Sequence, residues 1–474
     1  MTTGQAPRVL VIAYDFPPHG AVGTMRTLRL VRQLHQTGWD VRVLTSDPHT
    51  FLPGTPIEPH LETLVPAGVT VIRARAVRGL EALTDVVRGA GKPATAITTT
   101  AAAPAGGPKV RKDPGLLWQM KDFVDAMLSI PDNESGWMAP AVAAGLRDAR
   151  KHGRPDVIYS SAPPWSGQVV ALALQSALRR PWVADFRDPW ARAPWREWRL
   201  AFRQRAAAFL EQRVVGRASA VLFVTRANLA EYDAVFGPEM AQKFHLIPNG
   251  CDPSEIEQVA PMPKREEFVL LHAGTLYGAR NPMPVIEAIG RAIAGGALDR
   301  RTFRLRLLGS ISLTTDLRAE CARLNIADVV EFVSRVNRVD SLREMKSASA
   351  LLLVQVGTTV SVPAKAYEYL AAGRPVLALT EEGETAELVR KSGVGEAVQP
   401  DAPVEEIERA LSKVVALGSQ PFVPSDPQHY DGRVHAATTG RLLLQFAGRA
   451  ASPRLTTAGV APGSEPASSE GSRR

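Results

Sequence analysis

Several stretches of this 474-residue chain combine residue types that bind anions, sugars or nucleotides at spacings a fold can use. In Val362–Pro375 (VPAKAYEYLAAGRP), Pro363 suits the first helical turn, Gly373 suits a left-handed cap, and Pro375 cannot continue a helix. The spacing predicts a short helix over Pro363–Ala372, with Lys365 and Glu368 three apart on one face. The helix N-terminus at Pro363 is a natural phosphate site. A carboxylate one turn in can accept hydrogen bonds from both hydroxyls of a ribose cis-diol. The same two residues would serve equally as a solvated Lys–Glu pair.

His272–Pro282 (HAGTLYGARNP) follows an apolar run. Gly274 and Gly278 free the backbone, and Arg280 supplies a permanent cation whose guanidinium grips phosphate oxygens bidentately. Asp15–Gly23 (DFPPHGAVG) lies between a strand and a helix, where ligands of parallel sheets bind. Its glycines, Gly20 and Gly23, allow close backbone approach, although they also suit plain turns. The loop is not GxGxxG, which weakens a nicotinamide reading. Trp182–Trp190 (WVADFRDPW) puts Asp185, Arg187 and Asp188 at a strand end. The two carboxylates can hold sugar hydroxyls or act as a base. Equally, they can cap the next helix and pair with Arg187. Trp190–Arg205 (WARAPWREWRLAFRQR) mixes tryptophans with arginines. Read as one helix, it suits either interfacial membrane contact or a surface helix with its aromatics in the core.

The elements that must position these residues are short β-branched runs alternating with amphipathic helical stretches. That pattern indicates parallel sheets covered by helices. Arg8–Tyr14 reads as the first buried strand, followed by a helix over Thr24–Gln36 whose stripe is Met25, Leu28, Val31 and Leu34. Further strands are expected at Val41–Leu44, Val157–Ser160, Trp182–Asp185, Ala220–Thr225 and His245–Pro248. A second series begins at Phe268–His272. It continues through Arg304–Leu308, Val329–Val333, Ala350–Leu353, Pro375–Leu379 and Gly395–Val398. Asp252–Lys264, rich in proline and poor in periodicity, reads as a boundary between two α/β units. Lys92–Pro108 reads as a mobile surface loop, and the Ala/Ser/Gly/Pro-rich tail 449–474 as disordered.

Composition narrows the function classes. Lys and Arg (56) exceed Asp and Glu (48) by 8, a small basic excess for this length. With no finger or RNP motif, it favours an anionic small molecule over nucleic acid. Two cysteines, Cys251 and Cys321, cannot build a disulfide framework or a four-thiolate metal site. Neither a signal-peptide pattern nor a membrane-length apolar run occurs. A cytoplasmic protein is expected, with peripheral contact at the inner membrane face through residues 190–205 as its one route to lipid.

Taken in order, YDFPPHGAVG, DVIYSSAPPWSG, ADFRDPW, LIPNGCD, HAGTLYGARNP, FVSRV and PAKAYEYLAAGRPVLAL resemble the GT4-type (family 4) glycosyltransferases of the GT-B fold. The resemblance spans most of residues 8–448. It implies two Rossmann-like doubly wound domains facing a central cleft, with an N-terminal acceptor-side domain over 1–250 and a donor domain over 251–425. It also implies a helix over 426–448 crossing back to the first domain. The implied activity is retaining, metal-independent transfer of a sugar from a nucleotide-sugar to a glycan, lipid-linked or natural-product acceptor. No cofactor is implied, the nucleotide-sugar being a substrate.

Carried over by position, Glu368 holds the donor ribose. Arg280 stands where a lysine usually binds the diphosphate. Gly20–Gly23 face that diphosphate from the other domain, alongside Gly274 and Pro363. Backbone at Arg335 and Val336 reads the base. Arg280 and Lys365 stabilise the leaving group, and Asp188 is the candidate base. Three positions depart from the family. Val360 stands where the first of two paired glutamates is usual, Thr275 replaces an arginine, and SSAPPWSG lacks the usual histidine. A sugar-nucleotide epimerase and a catalytically degenerate nucleotide-sugar-binding protein therefore stay open as alternatives.

Overall fold

The computed structural model describes residues 6–51, 54–77, 129–418, 422 and 430–448, apart from Trp195, Glu197, Arg199, Lys264 and Val394. The expected loop at Lys92–Pro108 and the tail 449–474 lie outside the described residues.

Runs such as RVLVIA and ALLLVQ are apolar almost throughout because helices cover both faces of a parallel strand. Seven parallel strands form the first sheet: β1 (Arg8–Ala13), β2 (Asp40–Ser46), β3 (Thr70–Ala74), β4 (Val157–Ala162), β5 (Trp182–Phe186), β6 (Ala220–Phe223) and β7 (Phe244–Leu246). Their order is β3-β2-β1-β4-β5-β6-β7. β1 pairs with β2 (Val9 opposite Val41) and with β4 (Val9 opposite Val157). The winding therefore reverses between β1 and β4, opening a crevice at their carboxyl ends.

The second sheet has the order β12-β10-β8-β13-β14-β15. Its strands are β8 (Phe268–Ala273), β10 (Phe303–Leu308), β12 (Val330–Val333), β13 (Ala350–Gln355), β14 (Val376–Thr380) and β15 (Gly395–Val398). Here the reversal falls between β8 and β13. A small ribbon pairs β9 (Leu276–Tyr277) with β11 (Ile311–Ser312). These are the two doubly wound α/β units the residue pattern predicts.

Each sheet has its own core. The helix Val22–Gln36 inserts Leu28, Val31 and Leu34 against Val9, Val11 and Val43. Leu443 and Leu444 of the helix Gly432–Phe446 join that cluster, so this late helix covers the first sheet after the chain has built the second.

Three expectations need correction. β3 had no counterpart in the sequence reading. The boundary segment contains a short helix, Pro253–Glu257, capped by the Asp252 side chain. Trp190–Arg205 is not one helix, because the helical part is Ala201–Arg217. Pro194 would fall in the interior of a helix begun at Trp190, and the backbone N–H groups of Trp190 and Ala191 are held by Tyr232 and Glu211. Trp190 is fully buried and stacks on Trp165 at 4.7 Å, so it cannot meet a bilayer. Trp198 packs partly against the same core, while Trp195 lies outside the described residues. No described helix is long and apolar enough to cross a membrane.

The most constrained polar contact in the first unit centres on Arg26. Its guanidinium forks onto Asp185 at 2.8 and 2.9 Å and also donates to the carbonyls of Ile247 and Pro248. Asp185 has no exposed surface and accepts further bonds from Tyr159 (2.7 Å) and Ser161 (3.3 Å). Asp185 therefore holds the first helix to the crossing between the units, a structural duty that leaves it no role toward a sugar. Arg26→Met strands this carboxylate, and about 3–5 kcal/mol of stability should be lost. Urea unfolding measures it, and a loss below about 1 kcal/mol would mean that the pin is dispensable.

Candidate active site

The carboxyl ends of the two sheets meet. The Thr225 hydroxyl, just past β6, donates to the Val360 carbonyl past β13 at 2.9 Å. The Ala227 N–H donates to Glu384, past β14, at 2.9 Å. Loops that follow the strands of both sheets therefore line one cleft. Val360, the position of the missing glutamate, contributes its backbone to the contact between domains.

On the second unit, the helix Ala364–Ala371 begins after Pro363, which offers no side-chain cap; the Ala366 N–H turns back to the Pro363 carbonyl at 3.0 Å, which leaves the N–H groups of Ala364 and Lys365 facing out of the helix end. Glu368 is buried one turn in. Its Oε1 accepts from Arg338 at 2.8 Å and its Oε2 from Lys365 at 2.7 Å. Burial alone would favour the neutral acid, but Lys365 and Arg338 outweigh it and hold the carboxyl down at about 2. A permanent carboxylate with spare lone pairs thus sits one turn into a helix whose N-terminus has no side-chain cap. The Tyr369 hydroxyl of the same helix accepts from the Ala273 N–H at 2.8 Å, which fixes the helix against the loop after β8.

That loop carries Gly274, exposed Thr275 and Arg280, the last with its guanidinium 4.8 Å from the Tyr277 ring centroid. His272 lies beneath it. Nδ1 is 3.0 Å from the Leu352 carbonyl and therefore carries the hydrogen, while Nε2 is buried without a partner. Burial, reinforced by Lys365 and Arg280, pushes the imidazolium down to about 4 despite the bond to Leu352. Lys365 and Arg280 thus both act electrostatically on His272, and Lys365 also pairs with Glu368. Arg335 is exposed, and Val336 packs against the core from the loop after β12.

A Cβ on Gly23 would fall 1.7 Å from the Arg187 guanidinium, and one on Gly20 would lie 3.0 Å from Glu58. The direction a Cβ would take is thus filled by this chain's own side chains, Arg187 beside Gly23 and Glu58 beside Gly20. Arg187 in turn pairs with Asp15 at 3.5 Å rather than with Asp185 or Asp188. Burial raises the Asp188 carboxyl, opposed by Arg187. The sequence reading did not single out Glu134, whose carboxyl burial and the neighbouring Asp132 and Asp15 push up. Nor did it single out Arg338, Glu255 or His272, which pack around Glu368 and the loop after β8. Among the described residues no three His, Cys, Asp or Glu side chains converge to hold a metal ion.

Two parallel sheets, joined at their carboxyl edges around a cationic loop, an open helix N-terminus and a fixed carboxylate, define a two-domain nucleotide-binding α/β protein. Residues 94–250 match the family model of a glycosyl transferase 4-like domain, and residues 267–416 match that of the glycosyl transferases group 1. Together the matches cover more than half of the chain, which belongs to the GT4-type glycosyltransferases of the GT-B fold. Among curated proteins no relative matches it. Of solved structures, sucrose-phosphate synthase from Thermosynechococcus elongatus is similar at 18% identity and a TM-score of 0.53, covering 94% of this chain and 96% of that one. Anabaena HepE in complex with UDP is similar at 14% identity and a TM-score of 0.51, with 93% and 97% covered. The lipopolysaccharide outer core galactosyltransferase WaaB is similar at 12% and 0.51, with 92% and 99% covered. At these identities the likeness concerns the fold.

The refusal of His272 to take a proton has a measurable consequence. Between about pH 6.5, the ordinary value, and about 4 the unfolded chain binds a proton there that the folded chain does not. Stability therefore falls as pH drops through that window. His272→Gln should flatten the slope, read by urea denaturation at several pH values. An unchanged slope would place the imidazole in a wetter setting.

Proposed function

We propose that the chain moves a sugar from a nucleotide-sugar donor to an acceptor hydroxyl, with retention at the anomeric carbon and without a catalytic metal. The observation carrying this reading is the permanently ionised Glu368 beside the uncapped N-terminus of its helix, with Arg280 and Lys365 nearby. Two acceptor oxygens suit a ribose cis-diol, and the cations and helix end suit a diphosphate. A nucleoside diphosphate combines both. That a similar fold holds UDP in HepE supports the donor class.

The C1–O bond to the diphosphate breaks as negative charge builds on the leaving oxygen. Arg280, Lys365 and the helix N-terminus offset that charge without reorganising. The acceptor oxygen forms its bond to C1 from the same face, and its proton passes to the departing phosphate. Asp188, whose proton affinity burial raises, is the side-chain alternative as base. Closing the two domains excludes water and limits hydrolysis. The acceptor is a glycan, a lipid-linked sugar or a small natural product. A lipid-linked acceptor brings the protein to the inner face of a membrane, where Trp198, Phe202 and the arginines of residues 190–205 remain the contact stretch.

Glu368→Ala and Arg280→Ala should each lower kcat/KM for the donor by about 10²–10³-fold while the proteins stay folded. Unchanged kinetics in folded variants would reject the site. Steady turnover of the nucleotide-sugar with no acceptor, and without release of free sugar, would favour an epimerase instead.

A further inference from the structure

Arg338 heads the helix Arg338–Ser347, directly after the loop that carries Arg335 and Val336. Its two terminal nitrogens go to two different carboxylates. Nη1 donates to Glu368 Oε1 at 2.8 Å, and Nη2 donates to Glu255 Oε2 at 2.8 Å. All three side chains are largely shielded: Arg338 is 23% exposed, Glu255 17% and Glu368 9%. A planar fork shared between two acids fixes the second when the first is fixed, which an ammonium cannot do.

Glu255 does not belong to the body of the second sheet. It lies on the short helix Pro253–Glu257 at the crossing between the units. Asp252, the cap of that helix, is 3.6 Å from Arg32 of the first-unit helix Val22–Gln36. The adjoining Cys251 exchanges backbone bonds with the segment leading into the helix Gly432–Phe446, donating to the Tyr430 carbonyl at 2.9 Å and accepting from the Gly432 N–H at 2.7 Å. The second oxygen of Glu255 is buried without a hydrogen-bond partner among the described residues. Arg29, one turn before Arg32, has no ion pair among the described residues and lies within the attraction of Glu255. An unbroken series of contacts thus runs from the first unit through Glu255 and Arg338 to the carboxylate of the donor site.

We propose that Arg338 and Glu255 are positioning residues for Glu368, orienting its carboxylate toward the donor ribose and tying that orientation to the crossing between the domains. The inference rests on the reading that Glu368 receives the ribose. It adds that the ribose is read properly only while the interdomain helix holds Arg338. Nothing in it requires Arg338 or Glu255 to touch the donor.

The test compares the dissociation constants of UDP, ADP and GDP, each with its 2′-deoxy counterpart, for the wild type, Glu368→Gln, Arg338→Lys and Glu255→Gln. Losing one hydrogen bond to a charged carboxylate corresponds to about tenfold in affinity, so the wild type should prefer the ribonucleotide of its best base by about that factor. Arg338→Lys keeps the charge and loses the fork, and Glu255→Gln keeps the shape and loses the charge. Both should collapse the ribo/deoxy ratio toward one, raising the donor KM with kcat little changed. A role in folding alone would lower the melting temperature and leave the ratio intact, which would overturn the proposal. If Glu368→Gln collapses the ratio and the other two variants do not, the proposal fails while the ribose site stands. If Glu368→Gln leaves the ratio intact, or none of the diphosphates binds, the ribose reading itself falls.

Discussion

A buried carboxylate is tolerable only when its charge is answered in place, and Asp185 is answered by Arg26. Because Arg26 also takes the carbonyls of Ile247 and Pro248, one cation joins the first helix, the end of β5 and the point where the chain leaves the first sheet. The exit direction of the second unit is thereby set by a desolvated charge rather than by a flexible linker. The influence continues further, since Arg26 also acts electrostatically on Tyr367, on the helix that presents Glu368.

The second unit shows a division of labour among charges. Glu368 is paired with two cations and keeps its charge, while His272, buried and within reach of Lys365 and Arg280, stays neutral. The contrast follows from sign. The same Lys365 that stabilises an anion repels a second cation. A diphosphate entering beside Gly274 would meet Lys365 and Arg280 with a neutral imidazole beneath them. Val360, where the family usually places an acid, instead lends its carbonyl to Thr225 and so serves the contact between domains.

Much of the fold was legible because buried parallel strands are nearly unbroken apolar runs and their helices keep a 3.6-residue stripe. β3 escaped because it is an edge strand, only partly covered, with a diluted pattern. Lys365 and Glu368 were legible because their pairing is local. Arg338 was not, since its partners Glu368 and Glu255 lie 30 and 83 positions away and nothing nearby marks it. The meaning of Gly23 was hidden for the same reason: Arg187, which fills the space beside it, comes from a distant strand end. The supposed helix from Trp190 shows the opposite case, a signal present but outvoted, because Pro194 already argued against it.

The helix Gly432–Phe446 supplies Leu443 and Leu444 to the core that holds Val9 and Leu28. During synthesis, the opening residues leave the ribosome long before these leucines exist. The face of the helix Val22–Gln36 that this helix covers must wait, wet or shielded by a chaperone, until the whole second unit has been translated. The nascent amino-terminal half is therefore the vulnerable species in biogenesis, and trimming the polypeptide before residue 446 would injure the half farthest from the cut.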